Sequence, residues 1–421
     1  MVESRDELIF LLTEAAALEH SLMCQYLFAA FSLKQSADEG VTHEQMNYIA
    51  DWERFLLMVA RQEMEHLGLV CNLLTAVGAA PYLAHPNFPY RTTLFSHAMS
   101  LEAFSEATIK KFICFERPET IEPEDAFCNE PLAVHLTVLK DVSPVPVPYK
   151  TVGELYDAIV DGFAELTKRG VKLIIGPGSA QVTGTQLNTD FVRRGGQGGG
   201  YDIFMVPVTD IESAHRVLDR IIEQGESARN HGESSHFETF LRILKQFQKL
   251  QQDDPDFQPA RPVVPNPVLY PDGTPHQTAI TSQNGRGVLD LLNGAYEVLL
   301  LLLIRFFAHS DETTVEIAQL QAAAFFPFMT MVIRPITEVL MSLPAFDGGG
   351  PERAGPNFEF YRNVNYLPHR RAAWQVLYER MVELTETCQA LSKQPEMPPR
   401  LGYIAESLKL ITMRFQSLLH L

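Results

Sequence analysis

The hydrophobic pattern of the first 80 residues predicts two long helices. Apolar residues recur three or four positions apart over about residues 5–33 and again over about 42–77. Each stretch begins with Ser4 or Thr42 followed three positions later by Glu or Gln, which is the signature of a capping box. The second stretch stops at Gly78, and the short polar connection between the stretches is typical of antiparallel neighbours.

The central part of the chain has a mixed pattern. It predicts two shorter helices, at about 100–115 and 152–169, followed by the glycine-rich segments "GPGSAQVTGTQ" and "RRGGQGGG". No Gly-Lys-Ser/Thr sequence follows these glycines, so we interpret them as a loop over a site, with an anion-binding nest as the alternative.

Helical periodicity returns after residue 208. One amphipathic stretch begins at Thr209 and another covers about 232–250, and a segment with seven prolines follows them. Four more helical patterns complete the chain, at about 287–309, 313–343, 369–393 and 400–419.

This order predicts a mainly α protein with two domains. Two antiparallel helices, a long insertion and two more helices form the layout of a ferritin-like four-helix bundle. We expect the bundle within residues 1–252, a proline-rich linker at 253–284 and a second, C-terminal helical domain at 285–421. Within the bundle, the expected parts are the first two helices at 4–78, the insertion at 79–208 and the last two helices at 209–250.

Ligand-type residues interrupt the apolar faces of the first two bundle helices. Glu19 lies in the middle of the apolar stripe of the first helix, and Glu63 and His66 lie in that of the second. Glu65 is turned to a different face by the helix period. A buried, ionised carboxylate costs several kcal/mol unless it is paired or binds a metal. The pattern therefore indicates a buried site that neutralises these groups.

The last two bundle helices offer matching residues. Glu226 continues the apolar line of the third helix, whereas its alternative, Glu223, groups with the polar face. Glu233 and His236 repeat the Glu-x-x-His spacing of the second helix. A helix cap formed by Asn230 and Glu233 is the alternative role for Glu233.

A third Glu-x-x-His pair, Glu212 and His215, has a simpler explanation. Glu212 is the third residue after Thr209 and is expected to close a capping box at the start of the third helix. We therefore interpret His215 as a core or surface histidine.

The remaining set fits a dinuclear metal site. Ferritin-like bundles bind two metal ions through one Glu from each of two helices and a Glu-x-x-His pair from each of the others. Carboxylates and imidazoles favour two iron ions, with manganese as the alternative. The predicted metal ligands are Glu19, Glu63, His66, Glu226, Glu233 and His236. His20 and Tyr26 are candidates for contacts just outside the ligands, although for Tyr26 we favour a packed aromatic over a redox tyrosine.

Composition limits the partners. The chain has 421 residues and a net charge of −18, which argues against nucleic acid or an anionic membrane surface as a partner. The apolar run "VLLLLLI" is far shorter than the ~20 residues of a membrane-spanning helix. Five scattered cysteines without a Cys-x-x-Cys pair predict free thiols in a reducing compartment. We therefore expect a cytoplasmic location, and we leave open whether the chain forms a homo-oligomer.

Three segments also carry a family resemblance. "LEHSLMCQYLFAAFSLK", "VARQEMEHLGLVCNLLTAVGAAPYLAHPNFPY" and "IIEQGES…ESSHFETF" resemble the ferritin-like domain of the iminophenyl-pyruvate dimer synthase family. The resemblance extends through "FERPE" and "TVGELYDAIVDGFAEL" and more loosely into the C-terminal helices. It implies the same six metal ligands and oxidative coupling of two indole-imine units, as in violacein and rebeccamycin-type pathways. This chain differs in having Glu65 where a small residue is usual, and in being much shorter than the violacein enzyme.

The resulting hypothesis is a di-iron oxidoreductase. It would use dioxygen or peroxide on a small amine, imine or aromatic acid, with an indole-pyruvate-derived imine suggested by the resemblance. The alternatives are a non-catalytic metal-storage bundle and a manganese site that disproportionates peroxide. The insertion is expected to provide the substrate pocket.

Overall fold

A computed structural model describes most of the chain. The described residues are 2–92, 98–122, 128, 149–184, 204–225, 235–308 and 311–419. They fall into two compact units, the first formed by Met1–Gly178 with Val208–Arg261 and the second by Ser179–Pro207 with Pro262–Leu421. The division at residue 261 lies within the proline-rich segment, and the domain limits expected from the sequence stay predictions.

The first unit is built from six helices among its described residues, as expected for a ferritin-like bundle with an insertion. The helices are α1 (Arg5–Ser32), α2 (His43–Ala76), α3 (Glu106–Phe115), α4 (Val152–Lys168), α5 (Ile211–Gly225) and α6 (His236–Asp253). A two-residue strand β1 (Tyr90–Arg91) pairs antiparallel with β2 (Ala98–Met99), and Ala37–Glu39 forms a 3₁₀ turn. Helices α3 and α4 belong to the insertion, and α3 packs against α6.

The predicted capping box is confirmed at the start of α2, whereas at α1 only its N-cap half forms, because the Glu7 side chain accepts the backbone N–H of Glu3. The Ser4 hydroxyl accepts the Glu7 backbone N–H at 3.1 Å. At α2, Thr42 and Gln45 form a complete capping box, with each side chain bonded to the other residue's backbone N–H. These bonds satisfy amide groups that lack a partner within the helix. The two helices pack against each other along their length.

The start of α5 differs from the prediction. Asp210 provides the cap, because its carboxylate accepts the Ser213 backbone N–H at 2.7 Å. Glu212 does not close a capping box with Thr209; its side chain is exposed and lies 3.4 Å from Arg216. The Ser213 hydroxyl accepts the backbone N–H groups of Thr209 and Asp210, so the cap forms one position later than expected.

The start of α6 is also later than expected. This helix begins at His236, where Ser235 and Glu238 form a capping box. Asn230 is therefore not the N-cap of α6. His236 is the first residue of α6, and Glu233 lies outside the described residues.

An aromatic cluster closes one end of the bundle. The Trp52 ring stacks on Phe104 at 5.2 Å and contacts Phe247 and Phe257. The Trp52 indole N–H donates to the Gln246 side chain at 2.8 Å, so the buried polar atom is satisfied. Each such aromatic side chain contributes about 1.5–3 kcal/mol by burial, which holds α2, α6 and the start of the insertion together.

The free-thiol prediction is wrong for two of the five cysteines. Cys114, in the last turn of α3, forms a disulfide with Cys128. Cys24, Cys71 and Cys388 are buried and are not part of this disulfide. The spacing of 14 residues carries no pairing signal, because the chain's return to α3 is a tertiary feature. The cytoplasmic location stays a prediction and loses its redox argument.

The second unit is helical as well. It contains α7 (Gln283–Phe307), α8 (Thr314–Ala323), a π-helical segment (Ala324–Ile333), α9 (Arg334–Leu340), α10 (Arg370–Ser392) and α11 (Arg400–Leu418). Strand β3 (Pro267–Val268) pairs in parallel with β4 (Thr278–Ala279), and a 3₁₀ turn (Gly178–Ala180) lies at the division between the units. The single helix expected at 313–343 is divided, and Pro327 lies in the π-helical part, where its missing N–H removes a helical hydrogen bond.

Helix α7 is the most apolar element of the second unit. By length and composition it could cross a membrane, but 78% of its most apolar window is buried inside the structure. Its Arg305 is buried too, and donates to the Leu367 carbonyl at 2.7 Å and the Tyr366 hydroxyl at 3.0 Å. This burial is the arrangement of a core helix.

Candidate metal centre

Two carboxylates and one imidazole meet between α1 and α2. Glu19, Glu63 and His66 are each at most 2% exposed. The Nδ1 atom of His66 lies 3.0 Å from Glu63 Oε2 and 3.4 Å from Glu19 Oε2. These are the three residues whose positions in the apolar stripes singled them out, and the structure brings them together.

A second cluster shares one of these carboxylates. The Nδ1 atom of His236 lies 2.9 Å from Glu63 Oε1 and 3.5 Å from Glu116 Oε2. Within each cluster the ligand-type atoms are within 4.8 Å of one another. The two oxygens of Glu63 therefore face different clusters, which is the arrangement of a carboxylate that bridges two metal ions.

Glu116 is the residue that the sequence reasoning missed. It is the C-cap residue of α3 and is 5% exposed. A signal was present, because Glu116 continues the buried line formed by Ile109 and Phe112 at helical spacing. The same criterion identified Glu19 and Glu63. The Cys114–Cys128 disulfide fixes the helix end that carries Glu116.

Glu226 and Glu233 lie outside the described residues. Their roles as ligands stay predictions. Gly225, the last residue of α5, lies so close to the cluster that an added Cβ would be 3.5 Å from Glu116 Oε2. Glu226 is the next residue along the chain. The alternative, Glu223, belongs to neither of the two clusters formed by described residues.

Two glutamines orient the imidazoles. Gln224 Oε1 lies 2.9 Å from His66 Nε2, and Gln62 Oε1 lies 3.2 Å from His236 Nε2. An amide oxygen can only accept, so each histidine donates its Nε2–H to a glutamine. When a ring is neutral, as it is with a metal bound, its lone pair is then on Nδ1, the atom that faces the carboxylates. This is how outer contacts fix the tautomer of a metal-binding histidine.

Two buried tyrosines bind the outer oxygens of the carboxylates. The Tyr26 hydroxyl donates to Glu116 Oε1, and the Tyr156 hydroxyl donates to Glu19 Oε1. Burial, followed by the nearby glutamates, raises the pKa of both tyrosines well above its usual value, so both remain donors at neutral pH. Tyr26 thus contacts the cluster, as the sequence suggested, and also packs against Phe112 at 4.6 Å. Tyr156, on α4, was not predicted.

His20 and Glu65 point away from the carboxylates. His20 packs edge-on against His85, with ring centroids 4.5 Å apart. Burial, and next the neighbouring His85, lowers the pKa of His20 well below its usual value. Glu65 is buried, and its Oε1 atom lies 3.8 Å from Arg220 Nε. Neither cluster includes Glu65. Both placements follow from the helix period, because adjacent residues on a helix are turned about 100° apart.

The electrostatics of the cluster are strongly coupled. Burial, and next the negative charge of Glu63, raises the pKa of Glu19 to about 8. Burial alone would lower the pKa of His236, but Glu63 and Glu116 outweigh it and raise the pKa to about 9. Burial opposes the ionisation of Glu63, yet the two imidazoles hold its pKa well below the usual range. The carboxylates therefore require positive charge at this place.

The donor set fits two metal ions. Glu63 Oε1 and His236 Nδ1 are buried and make no hydrogen bond with a described residue, although they lie 2.9 Å apart. Such atoms are rare in folded proteins unless a ligand or ion satisfies them. Three carboxylates and two imidazoles, without a thiolate, favour iron or manganese.

The cluster opens into a pocket. The pocket has about 350 Å³ of empty space, and the residues of both clusters contribute to its lining. Its apolar wall consists of Leu22, Phe115, Val152, Gly153, Ile221 and Ile222. Half of these residues come from the insertion, so the insertion does line a pocket at the site. The segment "RRGGQGGG" lies outside the described residues.

Comparison with known proteins identifies the family. The sequence model of the ferritin-like family matches residues 12–245, which is more than half of the chain. The chain belongs to the ferritin-like family. The match begins within α1, includes α2 and α5, and ends within α6. The predicted ligand residues lie on these helices or next to them in the sequence.

Two named enzymes are similar to this ferritin-like chain. Dichlorochromopyrrolate synthase of Lentzea aerocolonigenes is 28% identical over 96% of this chain and 41% of its own length. The 2-imino-3-(indol-3-yl)propanoate dimerase of Chromobacterium violaceum is 28% identical over 84% of this chain and 34% of its own length. The resemblance predicted from the sequence is confirmed, and the chain spans only about two fifths and one third of these relatives.

A solved structure is similar in outline. A ferritin-like protein from Caulobacter vibrioides matches 76% of this chain and 94% of its own, with a TM-score of 0.47 and 19% identity. The family assignment depends on the sequence match over residues 12–245.

Proposed function

We propose that this chain is a dinuclear-metal oxidoreductase that couples small indole-derived imines. One observation carries the proposal: two buried ligand clusters share Glu63 and face a pocket with an apolar wall. A storage bundle needs the metal ligands but has no use for an apolar pocket beside them. The pocket lining places an apolar wall beside a few polar groups, which is the composition of small-molecule sites.

Five described residues would hold the metal ions. Glu19 and His66 would bind one ion, Glu116 and His236 the other, and Glu63 would bind both. Three carboxylates balance three of the four charges of two divalent ions, which leaves room for Glu226 or Glu233 as a further ligand. A bound pair of iron or manganese ions would supply electron exchange between an oxidant and the organic substrate.

The protein's own groups would orient the ligands and keep the site dry. Tyr26 and Tyr156 each hold one carboxylate oxygen, so the other oxygen of Glu116 and Glu19 is left to face the cluster. The glutamines accept the Nε2–H of each imidazole, so Nδ1 is the nitrogen that would give up its proton and face a metal ion. The apolar wall limits water around the reacting groups, which strengthens the electrostatic interactions within the pocket.

The substrate class comes from the two relatives. One is named a dimerase of an indolyl iminopropanoate and the other a synthase of a dichlorinated chromopyrrolate. Joining two imine molecules removes two electrons and two protons, which can reduce one peroxide to two waters or one dioxygen to peroxide. We therefore propose an aromatic imine as substrate, and dioxygen or peroxide as oxidant.

The test is a coupled turnover assay. The imine is generated in the cuvette from tryptophan by an amino-acid oxidase, with iron- or manganese-loaded protein added. We expect a product with twice the substrate mass less two hydrogens, detected by mass spectrometry, together with oxidant consumption beyond that of the amino-acid oxidase alone. Glu63→Gln should abolish both signals, whereas the matched control Glu65→Gln should retain them.

Other outcomes would identify a different function. Uptake of many iron ions per chain without imine-dependent oxidant consumption would indicate storage and refute the proposal. Rapid oxygen release from peroxide with manganese, unaffected by the imine, would indicate peroxide disproportionation and would refute it too.

A further inference from the structure

A second group of ligand-type side chains lies beside the dinuclear site. His20 and Cys24 are four residues apart on α1, so they share one face of that helix. His85 reaches the same place from the segment that follows α2. The three side chains are 1%, 0% and 4% exposed, respectively. Neither the proposed reaction nor the dinuclear centre uses them.

The three ligand atoms lie close enough together for one ion to be placed among them. They lie within 4.8 Å of one another, and Cys24 Sγ is 3.9 Å from His85 Nε2. A metal bound at ~2.3 Å from sulfur and ~2.0 Å from nitrogen, at tetrahedral or trigonal angles, places these atoms about 3.5–3.8 Å apart. The observed distance needs a shift of only a few tenths of an ångström.

Outer contacts prepare both imidazoles for a metal. His85 donates its Nδ1–H to the Pro86 carbonyl at 2.7 Å, which leaves the lone pair on Nε2, the atom that faces Cys24. His20 is hydrogen-bonded to the Leu83 backbone. A backbone carbonyl on the far side of a histidine ring is the usual outer contact of a metal-binding imidazole.

We infer that His20, Cys24 and His85 form a separate site for a single thiophilic metal ion. Two imidazoles and one thiolate make a softer donor set than the carboxylate clusters, and such sets select Cu⁺ or Zn²⁺. The thiolate carries the single negative charge of the set. It neutralises Cu⁺ fully, whereas Zn²⁺ would leave a positive charge buried among three side chains. The charge balance therefore favours Cu⁺ over Zn²⁺.

The site is distinct from the dinuclear centre although the two are close along the chain. His20 follows Glu19 directly, and the helix period turns it about 100° away. Among the described residues, the group of His20, Cys24 and His85 shares no ligand with the dinuclear centre. Loss of one should leave the metal content of the other unchanged, so this inference and the proposed function can fail independently.

The test is anaerobic metal titration of the purified full chain. Cu⁺ and, separately, Zn²⁺ are added in competition with a chromophoric chelator. We expect one tightly bound Cu⁺ per chain in wild type and in Glu63→Gln. Affinity should fall at least 100-fold in Cys24→Ser and in His85→Gln. Cys71→Ser is the matched control, because Cys71 is also buried and free, and its thiol donates to a carbonyl as a serine hydroxyl can.

A second measurement needs no variant. X-ray absorption of the wild-type protein loaded with one equivalent of Cu⁺ should show one sulfur and two nitrogen neighbours. A first shell without sulfur, or equal Cu⁺ affinity in Cys24→Ser and wild type, would overturn the inference. Binding of Zn²⁺ with the same ligands and a higher affinity than Cu⁺ would support the site and overturn the preference for copper.

Discussion

Replacing Gln224 by leucine tests whether the imidazole of His66 is held ready for a metal. Gln224 is 8% exposed, and its oxygen accepts the His66 Nε2–H at 2.9 Å. Leucine removes the acceptor while filling a similar volume. A neutral ring can then keep its proton on Nδ1, which lies 3.0 Å from Glu63 Oε2 and finds an acceptor there. That tautomer suits the metal-free protein but blocks the atom that would bind a metal.

The expected magnitudes follow from this exchange. Loss of an outer contact to a metal-binding histidine typically weakens metal affinity ~10–100-fold, which is about 1.4–2.8 kcal/mol. The proton shift limits the cost to the metal-free fold, because a buried N–H left without an acceptor would cost about 1–3 kcal/mol. Metal affinity should therefore fall more clearly than the stability of the metal-free protein.

Anaerobic calorimetry with Fe²⁺ and Mn²⁺ measures the affinity, and urea unfolding of the metal-free protein measures the stability. Gln224→Glu keeps an oxygen acceptor and should retain tight binding. Glu212→Ala changes an exposed residue of the same helix and should behave as wild type. Affinity within twofold of wild type in Gln224→Leu would mean that this glutamine does not set the histidine tautomer.

Three further substitutions test the ligand assignment. Glu116→Gln should lower the metal content from two ions to one by elemental analysis, because Glu116 belongs to one cluster only; unchanged content would remove it from the ligand set. Glu65→Gln should keep both ions, since its side chain is outside both clusters, and loss of either ion would mean that the face of α2 is assigned wrongly. Tyr156→Phe removes a hydrogen bond to the buried Glu19 carboxyl and should destabilise the fold by about 1.5–3 kcal/mol in urea unfolding. No measurable change there would show that the bond does not form in solution.

The part of the site that the sequence predicted depends on helix period. Glu19, Glu63 and His66 are on long helices, where position along the chain gives the face. The helical period shows which side chains of each helix face the core. Three ligand-type residues in the apolar stripes of two helices were therefore enough to predict that they meet. The same reasoning placed Glu65 outside the site.

The site residues that the sequence did not predict lie at a helix end and on the helices of the insertion. Glu116 is the residue just after α3, and Tyr156 comes from α4, so both reach the cluster through the fold of the insertion. The ferritin-like pattern predicts ligands on the four bundle helices only, so it does not point to residues of the insertion. The Cys114–Cys128 bond has the same origin, because only the path of the chain brings those thiols together.

The first and last residues of the helices were less predictable than the presence of the helices. The first helix of the bundle ends within about a residue of its predicted end, where Leu33 takes up extended backbone. Helix α6 starts four residues later than expected, because Ser235 forms a stronger cap with Glu238 than the upstream pattern suggested. The predicted helix at 313–343 is divided around Pro327, whose effect on the hydrogen-bond ladder is local.

The most direct test of the central claim is the position of iron in crystals of the iron-loaded protein. Anomalous diffraction above and below the iron absorption edge locates each ion without reference to its chemistry. Two iron peaks per chain are expected, one on each side of the Glu63 carboxylate, with His66 Nδ1 bound to one and His236 Nδ1 to the other. A single peak, or two peaks away from Glu63, would contradict a dinuclear centre at this place.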